Sequence, residues 1–481
     1  MSEPLPQVVV IGGGIAGLAA AALLSGAAGG PPRAAVTLLE AGDRFGGKLL
    51  VGEVGGVQVD LGAEAMLARR PEAVELAREV GLADFLEPPT TAKAAVWSRD
   101  ALRPLPAGQL MGVPGDLEAL AASGVISAEG LRRAAREESV EVGEDIAIGR
   151  YIEARLGREV LDRLVEPLLG GVYAGHADEI SLRAAVPQLL PIAQGGGSLV
   201  AGVHELVSRG TTSGSAGAMP APVFQGLRGG VGTLPPALVA ACRSAGAQLH
   251  TRAPVHRLHR TPEGWQVGTG DRTISADAVL LAVPAPVAAR LLGDAAPGAA
   301  AELAAVEYAS MALVTLAFRR ADLAEPPSGS GFLVPPVDGR AVKAATFSSN
   351  KWGWLARSAP DSFVLRTSLG RHREEQALQL PDEELVARSL ADLRAAVGLT
   401  AVPYDTAVTR WNGGLPQYPV GHPARVARIR AQAARVGGLA LAGAAYDGVG
   451  IPACIASARR AVNELLTPPV GAARAEGTMS A

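Results

Sequence analysis

A chain of 481 residues, 48% of them hydrophobic and 19% charged, is long enough for two or three packed domains enclosing a large ligand. Its formal net charge of -3, with both signs mixed along the chain, excludes the basic face of a nucleic-acid binder and leaves no acidic tail. Two isolated cysteines, Cys242 and Cys454, give neither a disulfide framework nor a metal-ligand set, which suits a reducing cytoplasm.

The opening MSEPLPQ lacks a basic n-region, and the apolar run behind it is broken by glycines, so it does not read as a signal peptide. No other stretch of about 18 apolar residues could span a bilayer, and the chain is expected to be soluble or weakly peripheral at a membrane. Val8 to Leu24, VVVIGGGIAGLAAAALL, reads as a buried strand, a glycine turn and the start of a helix. Gly12, Gly14 and Gly17 make G-x-G-x-x-G: the first permits the tight turn, the second lets backbone approach a pyrophosphate, the third lets helix pack on strand. The diphosphate would then sit on the helix N-terminus. A second strand, AVTLL, ends at Glu40, whose carboxylate can accept from a ribose hydroxyl.

AGDRFGGKL follows, with Arg44, Gly46, Gly47 and Lys48, and then VGGVQVDLGAEAML, a strand turning into a loop at Gly62 and Ala63. A plain NAD dehydrogenase needs neither. PEAVELAREVGLAD reads as a short amphipathic helix closed by Gly81, and 116–165 as a mostly helical insertion. From Gln194 to Gln225 the composition turns to Gly, Ser, Ala and Pro, which predicts a mobile loop. GGVGTLPPALVAACRSAG is a turn and helix, AQLHTRAPVHRLHR and GWQVGTG are strand-like, and ADAVLLAVP is a buried strand ending at Pro284 that returns the chain to the first domain. Between 306 and 400, MALVTLAF, GFLVP, FVLRTSL and the helix PDEELVARSLADLRAAVG suit a sheet-and-helix substrate domain. GGLALAGAAYDGVGIPACIASARRAVNELL is again strand, glycine turn and helix, and the NH groups around Gly443, Gly448 and Gly450 can polarise a flavin pyrimidine ring.

RFGGKL after the ribose-binding acid resembles two-dinucleotide-binding flavoproteins, and that resemblance implies an α/β fold: a Rossmann-like FAD-binding domain of the two-dinucleotide-binding type built from separated segments, with an α+β substrate domain and a helical insertion. Residues 1–85, 226–290 and 409–467 would form the FAD domain, 86–205 the helical insertion with part of the substrate domain, and 291–408 the rest of that domain. A flexible Gly/Ser/Pro loop is expected over 206–225 and a disordered tail over 468–481. His250, His256 and His259 nearly alternate along a strand, so no metal site is expected, and no nucleophile elbow is present. A cofactor must carry the chemistry, and no catalytic side chain is assigned.

RFGGKL after a ribose-binding acid resembles the two-dinucleotide-binding flavoproteins of the amine-oxidase and protoporphyrinogen-oxidase superfamily. VEPLLGGVYAGHADEISLRAAVP, RWNGGLPQYPVGH and AGAAYDGVGIPACIASA resemble the bacterial oxygen-dependent porphyrinogen oxidases, and within them the Gram-positive coproporphyrinogen III oxidase branch, over nearly the whole chain. The resemblance implies noncovalent FAD, a porphyrinogen substrate, molecular oxygen as acceptor and a ferrochelatase downstream. It implies six-electron oxidation of coproporphyrinogen III to coproporphyrin III in haem biosynthesis, with hydrogen peroxide released. Carried over by position, the diphosphate falls on Gly12, Gly13, Gly14, Ile15, Ala16 and Gly17, the adenosine ribose on Glu40 and Ala41, and the adenine on Val255. Further cofactor contacts fall on Lys48, on Gly62, Ala63, Glu64 and Ala65 beside the flavin, on Trp411, and on Val449, Gly450 and Ile451. A substrate carboxylate falls on Arg70, with Arg69 as a weaker companion. Protoporphyrinogen IX oxidation, an amine or carotenoid oxidoreductase, and a noncatalytic flavin or porphyrin carrier stay open; an amine oxidase would need an aromatic cage, and aromatics are 4% of the chain.

Overall fold

The computed structural model describes residues 4–212, 222–270 and 272–466. Its centre is a five-stranded parallel sheet in the order Gln248–His250, Ala35–Leu39, Gln7–Ile11, Ala278–Leu281 and Leu439–Leu441. These strands come from three distant parts of the sequence, as the reading of separated segments requires. Because both faces are covered, the central strands Gln7–Ile11 and Ala278–Leu281 are runs of Val, Leu and Ile, whereas the edge strand Gln248–His250 buries only Leu249.

One face is covered by the helix Ile15–Ser25, whose alanines and glycine let it lie close to the sheet, and by Leu234–Ser244 and Ile451–Leu466. On the other face, Val9, Leu281 and Leu441 pack with Val267, Leu291 and Val426. Those partners belong to the antiparallel meander Val255–Thr261, Gly264–Thr269, Arg272–Ala276 and to the helices Ala285–Leu292 and His422–Val436.

A second sheet has seven strands in the order Asp405–Pro416, Tyr308–Arg319, Ser362–Leu369, Val342–Thr346, Gly331–Leu333, Ala94–Ser98 and Ala101–Pro104. All its pairs are antiparallel except Gly331–Leu333 with Ala94–Ser98. The helix Asp382–Val397 buries Leu385 and Leu393 among its aliphatic side chains. A helical layer closes over Ile148, Tyr151, Leu161 and Leu169, and includes the π-helical stretch Leu161–Val165.

The loop expected over 206–225, within the longer Gln194–Gln225 segment, is corrected at both ends. Leu199–Thr212 is a helix, because Leu199, Val203, Leu206 and Val207 form one apolar stripe on the helical core. Phe224–Leu227 is a strand whose Phe224 and Gln225 pair with Leu67 and Met66. The Gly/Ser composition in between masked these signals. The middle of that segment and the tail over 468–481 lie outside the described residues.

Candidate cofactor site

The first turn is built by steric necessity. Gly12 has φ +105°, and a Cβ there would stand 2.4 Å from Ala282 O; a Cβ on Gly17 would stand 1.8 Å from Gly12 O. Gly14 is the opposite case, with no atom within 4 Å of its would-be Cβ, although Gly46 N donates to Gly13 O at 2.8 Å just beside it. The helix Ile15–Ser25 starts there with no side-chain cap and no acid in its first turn, so its NH groups face the open space. A cradle of bare backbone at a helix N-terminus fits a diphosphate.

Glu40 ends its strand with both carboxylate oxygens on this turn, accepting from Gly13 N at 2.7 Å and Gly42 N at 2.7 Å. Its remaining lone pairs are available to a ribose, and Ala41 beside it is exposed. Ala253 N donates to Glu40 O at 2.9 Å, which sets the start of the meander, with Val255, against the same turn.

At the other end of the site, Lys48 O accepts from Ala63 N at 3.0 Å and would lie 2.0 Å from a Cβ on Gly62, so only glycine fits. Trp411, on the strand Asp405–Pro416, donates its indole NH to Leu61 O at 3.1 Å and lays its ring against Gly62. Arg366 donates to Gly62 O at 2.7 Å. The Lys48 side chain is open to water yet sunk in a hollow: burial lowers its pKa, while Cys454 at the far wall raises it. Across that hollow Val449 and Gly450 lead into the helix Ile451–Leu466. The preceding turn is pinned by Asp447, which accepts from Arg430 at 2.8 Å and Arg460 at 2.5 Å. The PQYPVGH string supports it from below: Tyr418 donates to Ala444 O and stacks on His422 with ring centroids 4.3 Å apart.

Glu64 turns away from this hollow. It is fully buried and accepts from Ser348 Oγ at 2.5 Å and Lys351 Nζ at 3.1 Å, with Arg366 at 3.4 Å. Burial opposes its ionisation, but Arg366 and Lys351 outweigh burial and hold the carboxyl at about 2. Of residues 62–65, Glu64 can therefore meet a cofactor only through its backbone. Arg366 and Lys351 carry no motif that would single them out.

Arg70, at the N-cap of the helix Pro71–Glu79, reaches Glu72 at 2.6 Å and is 39% exposed, and Arg69 is exposed beside it. The Arg70 charge is felt by the buried Cys454 thiol, which places it toward the same hollow. Among the described residues no three His, Cys, Asp or Glu side chains form a metal-holding group, and no helix is long and apolar enough to cross a membrane.

His176 anchors the helical layer to the second sheet. Its Nε2 lies 2.9 Å from His372 O and its Nδ1 3.6 Å from Glu166, and the Glu166 carboxylate raises the imidazole to about 9. A pKa above the unfolded 6.5 means stabilisation that is complete below about 6.5 and lost as pH rises through about 9. His176→Gln should therefore lower the urea midpoint at pH 6 and leave it nearly unchanged at pH 9.5; an equal loss at both values would contradict the pairing.

A glycine cradle on one helix N-terminus, an acid at the second strand's end and a second helix N-terminus across from Lys48 and Gly62 define a dinucleotide-binding flavoprotein. The chain belongs to the flavin containing amine oxidoreductase family, whose model matches residues 15–466, and within it to the coproporphyrinogen III oxidases. It is 39% identical over 464 residues to a coproporphyrinogen III oxidase of Mycobacterium tuberculosis, covering 95% of this chain and 96% of that one. With the coproporphyrinogen III oxidase of Bacillus subtilis it shares 31% identity, covering 97% and 99%. A crystal structure of a putative protoporphyrinogen oxidase from Exiguobacterium superposes with a TM-score of 0.83 at 32% identity, over 97% of this chain and 99% of that one.

Proposed function

We propose that this protein oxidises coproporphyrinogen III to coproporphyrin III in haem biosynthesis, removing six electrons and six protons in three rounds. In each round one oxygen molecule takes two electrons and two protons and leaves as hydrogen peroxide. The observation that carries the reading is end-to-end similarity to enzymes of that name, with the cofactor cradle intact at both ends of the chain. Bound FAD supplies the two-electron acceptor for each round.

Gly12 to Gly17 would hold the FAD diphosphate on their backbone, Glu40 and Ala41 its ribose and Val255 its adenine. Lys48, Gly62 to Ala65, Trp411 and Val449 to Ile451 would supply the remaining cofactor contacts, with 62–65 beside the flavin. Because aromatisation drives the reaction, these residues have only to orient one bridge carbon and keep water out. A noncovalent FAD is supported by the nearest thiol, Cys454, which is buried and whose pKa burial pushes up to about 11, a poor setting for a thiolate nucleophile. Acid precipitation should release the yellow colour into the supernatant; colour retained in the pellet would implicate Cys454. The enzyme works in the cytoplasm, soluble or loosely at a membrane, and passes its product to a ferrochelatase.

Fluorescence assays with coproporphyrinogen III and protoporphyrinogen IX side by side test the reading, because both products fluoresce and neither substrate does. Faster turnover of coproporphyrinogen is expected, and a preference for protoporphyrinogen would overturn it. A non-yellow protein without turnover would mean a carrier.

Arg70 holds one propionate. Its exposure and its existing Glu72 partner reduce the value of that contact to about 1 kcal/mol. Arg70→Ala should raise the KM for coproporphyrinogen about fivefold with flavin content unchanged. An unchanged KM would leave Arg70 a surface residue.

A further inference from the structure

Where the second sheet meets the helix Glu166–Tyr173, two cations are buried with no carboxylate at ion-pair distance among the described residues. Lys343 is 3% exposed and Arg371 7%. Lys343 sits where the pairing of Val342–Thr346 with Ser362–Leu369 shifts register, and a bulge of this kind re-aims a side chain. Its Nζ donates to Gly370 O at 2.9 Å. Arg371 donates from Nη2 to Val334 O at 3.2 Å, and its Nη1 lies 3.4 Å from where a Cβ on Gly170 would stand.

Among the described residues neither side chain has a second acceptor or a carboxylate at ion-pair distance. An ammonium carries three donors and a guanidinium five, so most of their hydrogen-bonding capacity is unused. Glu374 and Glu166 both favour the charged Arg371, but from beyond ion-pair distance, and Glu166 is engaged with Ala177 N and His176. Burial, and after it Arg371, pulls Lys343 down to about 7. Two like charges removed from water cost stability unless an anion joins them.

The sheet fixes where that anion would lie. Trp411 pairs with Met311, and the neighbouring Ala312 pairs with Leu369, so Gly370 and Arg371 end the row that begins at Trp411, two strands away. At roughly 4.8 Å per strand the separation is about 10 Å. A ligand that lies beside the flavin wall of which Trp411 is part and presents an anion at Arg371, about two strand spacings away, is broad, flat and carboxylated at its rim. We propose that Lys343 and Arg371 bind a propionate carboxylate of the porphyrinogen, as a second anchor besides Arg70. The assignment rests on the coproporphyrinogen reading above. An arginine fork and a lysine point charge together match a carboxylate's two oxygens.

The test titrates the flavin-loaded enzyme with coproporphyrin III and, separately, with its uncharged tetramethyl ester. Lys343→Met and Arg371→Met should each weaken coproporphyrin III binding at least about tenfold, the loss of one charge-assisted hydrogen bond. Ester binding and flavin absorbance should not change. Lys343→Met keeps the aliphatic stem and removes a buried charge, so it is expected to fold even if the arginine variant does not. Equal losses for acid and ester would mean a packing role and overturn the proposal, as would unchanged binding of the acid. Wild-type turnover of coproporphyrinogen III separately decides the reading of function, whereas the variants' acid-to-ester ratio decides the subsite.

Discussion

Gly14→Val is expected to give a folded, colourless protein. Gly14 has φ -70° and ψ 179°, a conformation any L-residue adopts, and its would-be Cβ meets no atom within 4 Å. The branched side chain therefore costs the fold only about 1 kcal/mol for a poor N-cap. It fills the space into which a diphosphate must come against the helix NH groups, so flavin content should fall to background. Gly12 and Gly17 behave differently: at either position a Cβ collides with backbone, and Gly17→Val should prevent folding altogether. Flavin absorbance per protein, set beside circular dichroism and a thermal melt, separates the two outcomes. A Gly14→Val enzyme that purifies with full flavin would remove the cradle from the cofactor site.

The contrast between those glycines explains what was legible in the chain. Gly12, Gly14 and Gly17 act through backbone geometry within one strand-turn-helix unit, and such units announce themselves by spacing. The strands behind them are legible for a similar reason, since a doubly covered parallel strand must be continuously apolar. Glu64 was assigned to the flavin because it lies in the DLGAEAML loop, but its side chain is claimed by Ser348, Lys351 and Arg366, which lie far along the sequence on the second sheet and its edge. No local pattern reports such a partner. Lys343 and Arg371 carry no local signal either: a lone cation in a short strand such as Val342–Thr346 reads as solvated until the register shows it to be buried, and Arg371 stands just past the end of its strand. The helix Leu199–Thr212 was hidden by the opposite error, in which the composition of a window outweighed a four-residue apolar stripe inside it.

Glu64→Ala should be the most destabilising change near the site that leaves the glycine cradle untouched. The carboxylate is buried, and removing it leaves Arg366 and Lys351 facing each other without their shared anion. Breaking a buried pair from one side costs about 3–5 kcal/mol. The shifted titration leads to a similar figure: a fall from 4.5 to about 2 corresponds to about 3 kcal/mol. A depressed carboxyl contributes stability that is complete above about 4.5 and is lost as pH falls toward about 2, so wild type and variant should converge below about pH 4.5; toward pH 8 the gap narrows somewhat, because Asp60, raised to about 7 by burial and then by the Glu64 charge among other groups, ionises more easily once Glu64 is gone. The effect should also reach the cofactor, because Arg366 holds Gly62 O, and a guanidinium freed from Glu64 no longer fixes that loop against Trp411. Denaturant midpoints at pH 7 and pH 3.5, together with the flavin dissociation constant, measure both consequences. A midpoint at pH 7 equal to wild type would mean that the three-residue cluster contributes nothing, and that the Gly62 wall stands on Lys48 and Trp411 alone.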